Sequence, residues 1–463
     1  MKSLRALMVL PLLLLAADRA PAQAEDATLI NGTIVTPERV IPNGWLAIQD
    51  GKILSITATK PTVAAAHTLV TKDIVFPGFV DLHNHPIYGI FPRWKAPQQF
   101  ASRYQWRGHQ AYLNSIQTPE GKLVTSHFCD MDAYVELQAL AGGTTSILGL
   151  YQPADTPTVP ACVEGLARNL DWASGFHGAG VGHEPIANVL GVGQKDFEIL
   201  SPQAVEMTKT GKYDLLAVHL GEGRRDDADS KAEFAKFKSM NLLNSKSVVI
   251  HGVALSEADF GEMQKAGTAF IWSPRSNFEL YGETADIPAA LRARVTMALA
   301  PDWSPTGSMN MLAEIGYAKT VSDRDFGGAL SAHQLFDMAT SIPAKIAKID
   351  DKVGSLRAGL YADLFLLAGD TSDVYATLAK ASPQSVSLTM VNGVAIYGAP
   401  DHLNALGLDA ALVDICGVRR AVNPKAMSAG TPAQIAAHLT AALKQEGLQL
   451  ASIAECPAKS KAP

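Results

Sequence analysis

Ile74-Val75-Phe76-Pro77-Gly78-Phe79-Val80-Asp81-Leu82-His83-Asn84-His85 is the stretch on which the reading of this chain turns. It opens as an apolar run rich in β-branched and aromatic residues, the pattern of a strand buried on both faces in a parallel sheet. It closes on two histidines one residue apart. Alternate side chains of an extended chain point the same way, so His83 and His85 are expected to project together and share one ion. Neutral imidazole nitrogen is a common ligand for zinc and related divalent metals. The competing reading is a pair of loop histidines with no metal, and residues elsewhere in the chain decide between the two.

Three later apolar runs end in the same way. Tyr213-Asp214-Leu215-Leu216-Ala217-Val218 leads to His219 and on through Leu220-Gly221 to Glu222. Ser247-Val248-Val249-Ile250 leads to His251, and Val295 to Ala300 leads through Pro301 to Asp302 and Trp303. Further strand signals lie at Gly143 to Leu148 and Thr268 to Trp272, with helical patterns between, such as Ala232 to Leu243. Strand and helix alternating from Ile74 to about Ile349 argues an α/β fold with a parallel sheet. Polar residues just past successive runs suit a closed (β/α)8 TIM-like barrel, whose reacting groups sit at the C-terminal strand ends. Strands one, two, five, six, seven and eight are assigned this way; three and four are expected between Trp172 and Leu200.

The flanks read differently. Thr28-Leu29-Ile30 and Thr33-Ile34-Val35 surround Asn31-Gly32, and Trp45 to Gln49 and Ile53 to Ile56 surround Asp50-Gly51, both turn signals. Beyond the barrel, Ala362 to Leu367 and Val386 to Val391 precede another turn at Asn392-Gly393. Each group is marginal alone. Together they are expected to form a small discontinuous β-sandwich domain from residues 25–73 and 353–400, around a barrel of residues 74–352. Residues 401–463 form a C-terminal extension with a helix expected from Thr431 to Glu446, where Pro432 suits the first turn and Gly447 the end.

The 463 residues are 47% hydrophobic and 18% charged, a globular composition of two to three domains. The net charge of -6 gives no reason to expect nucleic acid or an anionic membrane as partner. Lys2 and Arg5, the apolar run Leu7 to Ala17, and Ala22-Gln23-Ala24 before Glu25 form a secretory signal peptide of residues 1–24. The apolar run is too short to span a bilayer comfortably. The mature protein is therefore expected to be exported, periplasmic or secreted, with no membrane span. Export permits disulfides, and the expected pairs are Cys416–Cys456, which bracket the tail helix, and Cys129–Cys162, which flank strand two without anything in the sequence forcing them together; four buried free thiols are the competing reading.

Three imidazoles and a carboxylate suit a transition metal with one position left for water. Such an ion makes hydroxide available near neutrality. Glu222, three residues past His219, can shuttle a proton to a leaving group.

On these motifs the chain resembles the amidohydrolase superfamily of metal-dependent (β/α)8 hydrolases, over residues 27 to 398 or so, split β domain included. It is most similar to the branch containing cytosine deaminase, the methylthioadenosine and S-adenosylhomocysteine deaminases and the triazine hydrolases. The resemblance implies that His83, His85, His219 and Asp302 hold one metal, that Glu222 is the acid/base, and that His251 orients water or substrate. Zinc is the implied ion, with iron(II) the alternative. The segment expected to carry strands three and four offers only Lys195 as a metal bridge, which favours one ion over two. The chain departs from the branch at Gly221, often alanine there, and at Ala300-Pro301, where glycine and a hydroxyl residue are common.

Ser273-Pro274-Arg275-Ser276-Asn277 and Ser304 to Ser308 resemble pocket loops of the branch. Arg275, Asn277 and Trp303 are therefore expected to meet substrate, together with His183. His109 and His127 read as surface or structural histidines. Tyr88, Trp94 and Trp106, in the long insertion after strand one, either wall a pocket or pack the insertion's own core. The function implied is an exported hydrolase of non-peptide carbon–nitrogen bonds, a deaminase or a cyclic or linear amidase acting on a small molecule. The alternatives are a non-catalytic exported metal- or ligand-binding protein, which has no need of Glu222, and an ester or carbon–chlorine hydrolase on the same scaffold. A homodimer is left open.

Overall fold

The structure, a computed structural model, describes residues 26–150, 166–171, 186–189, 206, 210 and 215–456. The signal segment, Cys162, His183 and Lys195 lie outside the described residues.

Strand β1 (Ala27–Val35) pairs antiparallel with β2 (Val40–Gln49), which pairs with β3 (Lys52–Thr57), and parallel with β4 (Ala65–Pro77). The expected turn at Asn31-Gly32 is not one. The chain runs straight through it with a register shift between Gly32 and Ile34, and a Cβ on Gly32 would lie 2.8 Å from the Asp73 carbonyl oxygen. Glycine serves close approach here, not reversal. Asp50-Gly51 does turn, with both φ angles positive at 50° and 75°.

The organising stretch divides between two sheets. Ile74–Pro77 ends β4, and a new strand, β5 (Phe79–Asp81), begins a parallel sheet. Pro77 brings no N–H to a ladder. The N–H of Gly78 donates to the Asp363 carbonyl at 2.9 Å, and a Cβ there would fall 2.2 Å from Thr145 Oγ1. The single strand read from the sequence is thus two, hinged where only glycine fits.

β5 pairs parallel with β6 (Thr144–Ile147), and β6 with β7 (Arg168–Asn169). A five-stranded parallel sheet holds β8 (Ile186–Val189), β9 (Leu215–Leu220), β10 (Ser247–His251), β11 (Ala269–Trp272) and β12 (Met297–Leu299). β8 falls in the window expected for strands three and four, but β7 precedes it. The reason is composition: Arg168-Asn169 carries no apolar run. Arg168 is buried all the same, because its Nε and Nη2 donate to both Asp363 carboxylate oxygens at 2.7 and 2.9 Å and its guanidinium covers Tyr361 at 4.5 Å. Beyond their ends, β12 and β5 meet: Asn84 bridges Asp302 in parallel, the Asp302 N–H donates to the His83 carbonyl, and the His85 N–H donates to the Asp302 carbonyl.

Among the helices are α1 (Thr118–Leu140), α2 (Ala228–Ser239), α3 (Glu257–Ala266), α4 (Pro274–Tyr281), α5 (Met311–Asp325) and α6 (Pro432–Gln445). No helix among the described residues is long and apolar enough to cross a membrane.

The C-terminal flank supplies β13 (Leu364–Leu367), β14 (Val386–Val391), β15 (Val394–Gly398), β16 (Ala411–Ile415) and β17 (Val418–Val422). β13 pairs antiparallel with β4 and so joins all five to the N-terminal strands in one nine-stranded sheet, ordered β16-β17-β15-β14-β13-β4-β1-β2-β3. The extension therefore adds a hairpin to the flanking sheet. Phe365 of β13 joins this sheet to β5, with its ring 5.4 Å from Phe76 and 4.8 Å from Phe79. The expected tail helix is α6, opened by a capping box between Thr431 and Gln434. It packs on α1, and Cys416 is bonded to Cys456 as expected. Cys129 is also disulfide-bonded.

Candidate metal centre and active site

His219 is the penultimate residue of β9, His251 the last of β10, and Asp302 follows β12. His251 and Asp302 hold positive φ angles of 72° and 64°. A non-glycine residue in this region costs about 1–3 kcal/mol, and such strain persists where the surroundings enforce it. At Asp302 the enforcement is visible, since backbone bonds to His83 and His85 fix it on both sides.

The side chains converge. His83 Nε2 lies 3.1 Å and His85 Nε2 3.7 Å from Asp302 Oδ1. The His219 ring stands 4.8 Å from His83, 5.7 Å from His85 and 5.4 Å from His251. Three overlapping trios each bring their ligand atoms within 4.8 Å of one another: His83, His85 and His219; His83, His251 and Asp302; His219, Glu222 and His251.

Burial pushes the pKa of His83 and of His85 down to about 3, and holds His219 well below its ordinary value. Neutral imidazoles offer lone pairs. Both ring nitrogens of His83 are buried with no partner in hydrogen-bonding geometry among the described residues, although Nε2 stands 3.1 Å from Asp302 Oδ1. An unmet buried polar group costs about 1–3 kcal/mol, and a divalent ion among these imidazoles and Asp302 would meet it. The donor set fits zinc chemistry. Burial raises the Asp302 carboxyl, and Ser276 Oγ, donating to its Oδ2, works the other way.

His251 Nδ1 faces Asn277 Oδ1 at 3.0 Å, and the Asn277 amide is oriented by donating to Thr284 Oγ1 at 3.1 Å. That assigns the proton to Nδ1 and turns Nε2 toward Glu222 Oε2, 3.6 Å away. Tyr281 Oη donates to Glu222 Oε1 at 2.7 Å and itself accepts from Trp106 Nε1 at 2.9 Å. Arg103 Nη1 lies 3.0 Å from Glu222 Oε2. Burial raises the Glu222 carboxyl, but the Arg103 charge, helped by the Tyr281 hydrogen bond, outweighs it and keeps the group below its ordinary value, ionised. The loop between His219 and Glu222 is anchored by Glu233 on α2, which accepts the Gly221 N–H at 2.6 Å and the Tyr104 hydroxyl.

The expected residues divide clearly. His83, His85, His219, Glu222, His251 and Asp302 come together. Trp303 stacks on Trp106 at 5.3 Å, with Tyr88 at 5.6 Å and Trp94 at 6.5 Å, so the insertion's aromatics pack both on one another and against the residue after Asp302. Asn277 supports His251. Arg275 gives its guanidinium to Glu455, at 2.6 and 2.7 Å, and so anchors the tail. His109 caps a short helix and His127 lies 3.7 Å from Asp130 on α1. Arg103, Tyr281 and Glu233 were not legible in the sequence, because they belong to no motif and reach the site from the insertion, α4 and α2.

Comparison with known proteins gives a consistent relationship. The pattern of the Amidohydrolase family matches residues 212–396. A 5-methylthioadenosine/S-adenosylhomocysteine deaminase of Teredinibacter turnerae is 30% identical over 376 residues, 74% of this chain and 82% of that protein. Its counterpart in Desulforudis audaxviator is 24% identical over 357 residues, 70% and 80% of the two chains. Among solved structures, a zinc-bound adenosine deaminase of Xanthomonas campestris superposes with a TM-score of 0.69 at 18% identity, covering 91% of this chain and 98% of its own. An atrazine chlorohydrolase variant of Arthrobacter aurescens, complexed with zinc and atraton, does so with a TM-score of 0.69 at 18% identity, covering 90% and 99%.

Proposed function

Since the chain belongs to the amidohydrolase family, and is on that ground a hydrolase of carbon–nitrogen bonds, we propose that it is an exported deaminase of a small molecule that works with one divalent ion, zinc. The observation that carries this reading is the cluster of neutral imidazoles, buried but for the half-buried His85, around Asp302, with the ionised Glu222 beside it. His83, His85, His219 and Asp302 would hold the ion. Bound there, it supplies Lewis acidity and brings the ionisation of water toward neutral pH.

The chain's own residues do the rest. Glu222, ionised and aimed by Tyr281 and Arg103, takes a proton at Oε2 from the attacking water and returns it to the leaving nitrogen. His251, its tautomer fixed by Asn277, presents Nε2 to the same space. Trp303 and Trp106 wall off water with an apolar face suited to a flat substrate.

The eight parallel strands β5 to β12 are taken as one closed barrel. The contact between Asn84 and Asp302, which joins its first and last strands, supports this. Deamination is favoured over other hydrolysis because relatives matched over most of their length carry deaminase names. Export is supported by the leading apolar segment and by the disulfide chemistry. The test is a screen of aminated heterocycles and amides with zinc-loaded protein, scored by ammonia release. Activity on carboxylic esters or carbon–chlorine bonds alone would sink the reading.

A further inference from the structure

Arg103 lies in none of the ligand motifs, yet it is tied to Glu222 twice. Its backbone N–H donates to the Glu222 carbonyl at 3.0 Å, beside a bridge between Ser102 and Gly223. Its Nη1 stands 3.0 Å from Glu222 Oε2, with the two side chains only 4% and 3% exposed. Since that same oxygen is 3.6 Å from His251 Nε2, the guanidinium stands within one side chain of the imidazole cluster.

The pairing is close but incomplete. Nε and Nη1 of Arg103, and Oε2 of Glu222, find no partner in hydrogen-bonding geometry among the described residues. The charges of the two groups meet, but buried donors and acceptors are rarely left without a hydrogen bond. The ion that suits the His83 lone pairs cannot satisfy the two Arg103 nitrogens, because an N–H needs an acceptor and a cation offers none. An oxygen acceptor carried by a bound ligand would meet them. The neighbourhood says what surrounds it: Trp106, stacked on Trp303, donates to Tyr281, which donates to Glu222.

We propose that Arg103 is a substrate-anchoring residue, whose unmet N–H groups take an oxygen acceptor, carbonyl or carboxylate, carried by the substrate next to the bond that is cut. The inference rests on the hydrolase reading for the identity of the ligand as substrate, but not for the binding itself. A site built around such donors rejects analogues that lack the acceptor, because the donors are then stranded.

The test is binding to the zinc-loaded full chain. Benzoate, benzamide and benzylamine are titrated separately, with calorimetry and tryptophan fluorescence as readouts, since Trp106 and Trp303 report on the site. At least one of the two acceptor probes is expected to bind about tenfold or more tightly than benzylamine; the tighter of the two tells carboxylate from carbonyl. Glu222→Gln alone should hold that affinity within about threefold, whereas Glu222→Gln with Arg103→Met, which removes both charges together and spares the fold an unpaired one, should lose about tenfold or more. Arg103→Lys, which keeps the cation but not the planar fork, should fall between. Acceptor affinity unchanged in the double variant, or equal for all three probes in the wild type, overturns the proposal. Arg103-dependent binding in a protein that hydrolyses no carbon–nitrogen bond leaves the anchor standing and removes the hydrolase reading. Turnover with Arg103-independent binding does the reverse.

Discussion

Glu455 grips Arg275 through both carboxylate oxygens, at 2.6 and 2.7 Å, and stands 3.7 Å from Arg93. Arg93 in turn donates to the carbonyls of Gly307 and Thr306, at 2.6 and 2.9 Å, in the loop behind Asp302. The next residue, Cys456, is bonded to Cys416 across 40 residues. The tail thus couples loops following β5, β11 and β12. On the chain-entropy account a cross-link of this span contributes about 4 kcal/mol, less any strain. Cys416→Ser with Cys456→Ser should lose that amount in denaturant unfolding. An unchanged midpoint would mean that the tail stays docked through Glu455 alone.

Elemental analysis should find one divalent ion per chain. Ser276 is not a ligand, but its hydroxyl holds Asp302. Partners of ligating groups are worth about 10–100-fold in metal affinity, so Ser276→Ala should weaken zinc by that factor in a competition titration. Two ions per chain, or none after supplementation, would refute the four-residue site.

Glu222→Gln preserves the shape of the side chain and removes its capacity to carry a proton. Turnover should fall by about 10²–10⁴-fold while zinc content is unchanged. Near-full activity on a confirmed substrate would take the acid/base role away from Glu222.

What could be read in the sequence follows from where the information lies. His83, His85, His219, His251 and Asp302 each end an apolar run, so period and position announce them. Glu222 is announced by its distance from His219. Arg103 and Tyr281 carry no such mark: nothing local says that an arginine in an aromatic insertion and a tyrosine at the end of α4 converge on one carboxylate. The same limit hid β7, where Arg168 is buried only because Asp363, far along the chain, meets it. The hinge at Pro77-Gly78 was visible as residues, but its meaning depends on Thr145 and Asp363, which stand where a Cβ would go and where the N–H must donate.

Glu314, on α5, offers a pH test on a buried carboxyl that is not itself one of the proposed ligands. It is fully buried, and burial pushes its pKa up to about 8 from an ordinary 4.5, against the pull of Ser308 and of the Arg275 N–H, which donates to Oε1 at 3.2 Å. A raised carboxyl pKa means that the folded state holds its proton more tightly than the unfolded chain. Both states are protonated below the unfolded value, so the contribution is fully present there. It is lost as pH rises through the folded value, with a slope of about 1.4 kcal/mol per pH unit in between. Glu314→Gln removes this dependence while keeping the size of the side chain. Between about pH 5 and pH 8, the wild type should therefore lose stability more steeply than the variant, and the variant should be the more stable of the two above that window. Denaturant midpoints across the range decide it. Parallel profiles would show that Glu314 is already ionised at neutral pH and has found a partner strong enough to keep it so.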